Sequence, residues 1–136
     1  MDINVNVIKN IIRIGKVSSI NAKNATVKVA YMDKDNMVSD DLQLVMLSAK
    51  DVKSYKMPSI GSVVLCIFLP NPSGNGLAQG YVIGEVYTEV DKPVQNSAAV
   101  TAINFPDGSF IKYENGIIEI NAASAIKITA PRVDIN

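Results

Sequence analysis

The residues able to do chemistry in this sequence are few, and their spacing argues against most of it. Histidine is absent, which removes Ser-His-Asp and Cys-His catalysis and every histidine-based metal site. The one thiol, Cys66, lies within the apolar run VVLCIFL at 63–69. No basic neighbour in sequence lowers its pKa, so it reads as a small buried hydrophobe and not as a nucleophile. Asp33 and Asp35 in DKDNMVSDD are spaced like the opening of a calcium loop. Met37, however, stands where a third oxygen ligand is needed, Val38 where the turn glycine belongs and Leu44 where the bidentate glutamate belongs, so a solvated turn is expected. Glu85 and Glu89, near the end of a strand, lie on one solvated face and do not flank a glycosidic bond. Gly74, Gly76 and Gly80 in GNGLAQG have the wrong spacing for a dinucleotide fingerprint. A strand, not a helix amino terminus, follows them, so they read as a strand connection. Asn24-Ala25-Thr26 is a chance match to a glycosylation site. We therefore expect no enzyme, no cofactor and no metal.

Charge and composition narrow the remaining classes. Thirteen Lys and Arg balance thirteen Asp and Glu, and aromatics make up 6% of residues. Balanced charge and few aromatics weaken a nucleic-acid reading, since such binding draws on excess positive charge and stacking surface. No stretch approaches the roughly 20 apolar residues of a membrane span, and MDINVNVIKNIIRIG at the start lacks the apolar core of a signal peptide. Synthesis and folding in a cytoplasm are expected. At 136 residues the chain has room for one domain and an appendage.

The elements that would position these residues are mostly strands. Residues 2–12 fit a short helix capped by Asp2, with Ile8, Ile11 and Ile12 on one face. From Ile12 the period becomes two. Ile12, Ile14 and Val17 alternate with Arg13, Lys16 and Ser18, with a phase slip expected at Gly15. In TVKVAYM, Val27, Val29 and Tyr31 face one way and Thr26, Lys28 and Ala30 the other. LQLVML (42–47), VVLCIFL (63–69) and GYVIGEVYT (80–88) supply three more strands. Five strands bent at glycines, with little helix, predict an OB-fold barrel over residues 11–90, after an extension at 1–10. A polar linker with Pro93 is expected at 91–100.

Residues 101–136 then restart the alternation. Pro106-Asp107-Gly108 fits a three-residue hairpin loop that pairs Ile103 with Ile111, and Asn115-Gly116 is the strongest two-residue hairpin signal. The second turn pairs Tyr113 with Ile118, Ile111 with Ile120 and, on the other face, Lys112 with Glu119. The apolar face continues through Ile126, Ile128, Val133 and Ile135 as a short strand repeat. Such a face has no second layer of its own, and two or three strands alone are marginal in water. Packing three copies about a three-fold axis is the simplest closure. The predicted core of an intertwined trimeric β-helix or β-prism is Ile103, Ile111, Tyr113, Ile118, Ile120, Ile126, Ile128, Val133 and Ile135.

The ordered stretches IRIGKVSSINAKNATVKVAY, LQLVML, PSIGSVVLCIFLPNPSGNGLAQGYVIGEVY and DGSFIKYENGIIEI together resemble the baseplate spike family of contractile phage tails. These are proteins of the baseplate assembly protein V type, similar to the spike modules of type VI secretion systems and phage-tail-like bacteriocins. The resemblance implies an all-β homotrimer whose OB domains dock on a baseplate hub and whose β-helix points at the target envelope. It also implies synthesis in a bacterial cytoplasm and assembly into a phage tail or tail-like particle. Simple spikes of this family end in an apex that holds iron through a His-x-His arrangement, which a histidine-free chain cannot carry. A separate tip protein, similar to PAAR cones, is expected on Pro131, Arg132, Val133, Asp134, Ile135 and Asn136. The alternatives from other classes are an OB-fold module for single-stranded nucleic acid and a cell-wall hydrolase.

Overall fold

A computed structural model describes residues 5–136. The expected cap Asp2 lies outside them. The chain divides into two compact units at Asp91/Lys92. Apart from one helical turn, α1 (Val5–Ile8), and a 3-10 turn at Met32–Lys34, every regular element among the described residues is a β-strand.

The first unit is a closed five-stranded barrel. Its strands are β1 (Ile12–Asn21), β2 (Thr26–Tyr31), β4 (Leu42–Leu44), β5 (Val63–Pro70) and β6 (Leu77–Glu85), with β3 (Met37–Val38) added beside β2. Hydrogen bonding runs β1–β2–β4–β6–β5 and returns to β1; only the β4–β6 pair is parallel. Closure leaves the long strands no free edge. The core is Val17, Val27, Val29, Tyr31, Leu42, Val64, Cys66 and Val82, with Leu44, Met57 and Phe68 packed against it. Tyr31 and Phe68 meet edge to face at 6.2 Å, and the Arg13 guanidinium lies 4.6 Å from the Tyr31 ring centroid.

Two glycines allow the wall to close. A Cβ on Gly15 would stand 2.5 Å from Val29 Cγ1 and 2.6 Å from the Ala30 carbonyl oxygen; one on Gly80 would lie 2.3 Å from Phe68 Cε1. Both sites exclude a side chain because another strand or ring occupies the space.

Four expectations are corrected here. Among the described residues the helix is Val5–Ile8 and buries Val7; it stops before Ile11, while Ile8 is exposed and Ile12 already belongs to β1. In β1 the inward positions are Gly15 and Val17, so Ile12 and Ile14 face outward. The phase slip falls at Ser18, where the register skips from Val17↔Val29 to Ser19↔Lys28. Gly15 is an inward residue in phase, and the bulged Ser18 donates its hydroxyl to the Lys28 carbonyl at 3.1 Å. The fourth concerns strand limits. β4 stops at Leu44, and β6 begins at Leu77 inside the expected loop because Leu77 pairs with Pro70 and Gly80 with Phe68.

The second unit is a three-stranded antiparallel sheet of β7 (Thr101–Asn104), β8 (Phe110–Glu114) and β9 (Ile117–Asn121). Its register is the one the turn residues dictate. Ile103 opposes Ile111, Ile111 opposes Ile120, Lys112 opposes Glu119 and Tyr113 opposes Ile118. Asn115 and Gly116 both have positive φ, 52° and 81°, as a type I′ turn requires. At the first turn Phe105 N–H donates to the Ser109 carbonyl at 2.8 Å, and Asp107 Oδ1 accepts from Ser109 N–H at 2.9 Å. The strand repeat expected through Ile126, Ile128, Val133 and Ile135 forms no strand within the single chain.

Candidate functional site

The residues with chemical potential do not converge. Cys66 is fully buried in the barrel core, and burial pushes its thiol up to about 11, which keeps it protonated at neutral pH. Glu85 ends β6 and pairs with Lys56. Burial raises its carboxyl, but hydrogen bonds from Lys56 and Ser62 and the Lys56 charge outweigh that and hold it below its ordinary value. Glu89 lies beyond the strand in a turn where Thr88 Oγ1 accepts from Asp91 N–H at 3.0 Å. Asp33 and Asp35 are exposed, and Asp41 forms an ion pair with Lys28 at 3.3 Å. Among the described residues no three His, Cys, Asp or Glu side chains are grouped as a metal site would need.

The feature that stands out is the sheet of the second unit. Opposed residues of an antiparallel pair share a face, so Ile103, Ile111 and Ile120 form one row and Thr101, Tyr113 and Ile118 the next. The other face carries Lys112 and Glu119, 4.0 Å apart, with the Lys112 ammonium 5.7 Å from the Phe110 ring centroid. On this face Phe110, Lys112 and Glu114 are half-buried, and with Glu119 half exposed the ion pair contributes at most about 1 kcal/mol. The apolar face is bare: Ile111 is 44% exposed and Ile118 74%. Ile126, Ile128, Val133 and Ile135 are exposed too, and no residue from Lys92 to Asn136 is buried. Among the described residues, none from 124 onward takes part in a backbone–backbone hydrogen bond. Pro131 to Asn136 are all exposed, with Arg132 Nε 2.9 Å from Asp134 Oδ1.

Ordered strands without a buried residue are an imbalance. Native proteins cover such apolar surface with a partner.

The barrel carries two apolar surfaces that alternation did not reveal. Outward positions of three adjacent strands place Ile12 beside Ile67 and Tyr81, and Ile14 beside Leu65. The sequence signal was the run VVLCIFL, which does not alternate; a strand apolar on both sides expects a layer on both. The second surface is a groove of about 320 Å³ between the end of β4, the end of β6 and the segment after β4, lined by Val45, Leu47, Tyr55 and Ile83 among others. No protein-family model matches this sequence, and no curated protein matches it significantly.

Proposed function

We propose that this chain is the non-enzymatic central spike of a contractile injection machine, a phage tail, tail-like bacteriocin or type VI-like system. In this reading it is a homotrimer at the end of the tail tube that concentrates the force of sheath contraction on a small area of envelope. The observation that carries the reading is the second unit: strands in register around two well-formed turns, an exposed apolar face of Ile103, Ile111, Tyr113, Ile118 and Ile120, and no buried residue. Three copies about one axis would turn that face into a dry core, with covering each Ile or Val worth roughly 1.5–3 kcal/mol. The backbone groups free from residue 124 onward would pair with neighbouring chains. Stiffness, not chemistry, is what a piercing shaft needs, and inter-chain pairing supplies it.

The barrel's ring order, with its parallel closure between the third and fifth barrel strands, β4 and β6, supports an OB fold. Its place in the machine is against the baseplate hub. A separate tip protein, similar to PAAR cones, caps Pro131 to Asn136, and the assembled particle is where the chain works after synthesis in a bacterial cytoplasm. Light scattering on the purified chain is the deciding measurement. The wild type is expected at three times the monomer mass. Ile120→Asp and Ile128→Asp, which would bury unpaired charge on the axis, are expected to be monomers. A monomeric wild type overturns the reading; a well-folded trimer from both variants overturns the assigned inward face.

The second reading, an OB module for single-stranded nucleic acid, has one favourable observation in exposed Tyr55 beside Lys53 and Lys56. Those cations are engaged, however: Lys56 by Glu85, and Lys53 by the carbonyls of Ala49 and Lys50. Tyr31 and Phe68 point into the core. Salt-dependent binding of a labelled single strand would revive this reading, and no binding at low salt closes it.

A further inference from the structure

We propose that Asn75, in the connection between β5 and β6, is a self-modifying site, the one Asn-Gly or Asp-Gly pair of the chain that the fold leaves open to reaction. Its side-chain amide is displaced by the backbone nitrogen of Gly76, and aspartate or isoaspartate is left in its place. Nothing in this depends on the trimer reading.

The chemistry needs Asn or Asp followed by glycine, because a glycine nitrogen carries no neighbouring side chain to block its approach. The Gly76 nitrogen gives up its proton and attacks Asn75 Cγ. The N–Cγ bond forms, the Cγ–Nδ2 bond breaks, and Nδ2 leaves as ammonia with that proton. Water then opens the resulting succinimide at one of its two carbonyls. Opening at Cγ gives aspartate; opening at the backbone carbonyl gives isoaspartate, with one more carbon in the main chain. No oxidant, reductant or cofactor is consumed.

The pairs of suitable order are Asn75-Gly76, Asp107-Gly108 and Asn115-Gly116, and the structure separates them. At Asp107 both reacting groups are held back. The Ser109 N–H donates to its carboxylate at 2.9 Å and keeps the carboxyl below its ordinary value, so the group stays ionised and is a poor electrophile. The Gly108 N–H is engaged by the Phe105 carbonyl at 3.1 Å. At Asn115 the backbone is wrong. Ring closure needs the glycine nitrogen on the same side of the Cα–C bond as Cβ, and a type I′ turn holds the two nearly opposite. Strand pairing of Glu114 with Ile117 and Tyr113 with Ile118 fixes that turn, so the hairpin must open first.

Asn75 lies beyond the last strand pair, Pro70 with Leu77, and is exposed. Among the described residues neither its side-chain amide nor the Gly76 N–H has a hydrogen-bond partner. Asn71 Nδ2 donates to the Asn75 carbonyl oxygen at 2.8 Å. When the Gly76 nitrogen loses its proton the negative charge spreads onto that oxygen, so a donor there favours the attacking form. The product alters the loop. Residues 71–76 contain no charged side chain, and either product adds a negative one. Isoaspartate also lengthens the span closed by the Asn71 N–H and the Gly76 carbonyl, now 3.1 Å apart.

The test uses the full wild-type chain, folded in neutral buffer and, separately, unfolded in urea. Peptide mapping by mass spectrometry follows residues 75, 107 and 115 with time, and isoaspartyl methyltransferase labelling scores the isoaspartate. In urea the two Asn-Gly pairs are expected to react at similar rates, because only local sequence then acts. In the folded chain Asn75 is expected to keep reacting, faster as pH rises, while Asn115 lags by about tenfold or more. Asn75→Gln is expected to remove the folded-state labelling. Equal rates at Asn75 and Asn115 in the folded chain overturn the proposal, as does an Asn75 that reacts in urea and stalls in the fold.

Discussion

Gly15 and Gly80 matter because of what stands opposite them, not because of their own backbone angles. Adding a methyl at Gly15 drives it into Val29 and the Ala30 carbonyl, and at Gly80 into the Phe68 ring. Each Gly→Ala change should lower barrel stability by about 1–3 kcal/mol, read as a lower denaturation midpoint. Gly84 is the control, since nothing lies within 4 Å of a Cβ there; Gly84→Ala should change stability by less than about 0.5 kcal/mol. Glu85 sets a pH dependence. Its carboxyl is held below its ordinary value in the fold because the Lys56 and Ser62 contacts outweigh burial. The stability it contributes is therefore present above the ordinary carboxylate pKa and is lost as pH falls through its lowered folded value. The pair is exposed enough that the effect is small. Glu85→Gln should lower the neutral plateau of a stability–pH curve slightly and leave its acid end nearly unchanged, so that the acid limb becomes shallower; a steeper acid limb would contradict the assignment.

At the scale of elements, the hairpin β8–β9 depends on two residues of left-handed backbone. Asn115 tolerates φ of 52° through its short polar side chain, and Gly116 at 81° needs no Cβ. Gly116→Val should cost about 1–2 kcal/mol per chain and lower the melting temperature of the second unit while leaving the barrel transition in place, as seen by two-step thermal denaturation. Local turn chemistry was legible here because it is complete within a few residues: Asn115-Gly116 fixes which of Ile111, Tyr113, Ile118 and Ile120 oppose one another. β1 was misread for the opposite reason. Ile12 and Ile14 look like core in an alternating pattern, but Gly15 faces inward because Val29 and Ala30 occupy the space there. Nothing local distinguishes a glycine that interrupts a strand from one that lets another strand pass close.

For the whole molecule, the predicted trimer is held by apolar contact more than by charge. Salt screens exposed ion pairs such as Lys112–Glu119 and leaves apolar burial intact or strengthened. The mass in solution should therefore remain three times the monomer in about 1 M sodium chloride. Dissociation at high salt would assign the assembly to charge pairs and contradict the isoleucine core.

By itself the sequence determined the all-β class, the hairpin registers of the second unit and the inward set Val27, Val29 and Tyr31. These follow from alternation and turn residues, whose physics acts over two to five positions. Tertiary structure alone decided the ring closure, with β4 running parallel to β6, the bulge at Ser18, and the outward turn of Ile12 and Ile14. Each of these depends on which distant strand lies alongside, so each is set by long-range packing and not by the pattern of neighbours in the chain.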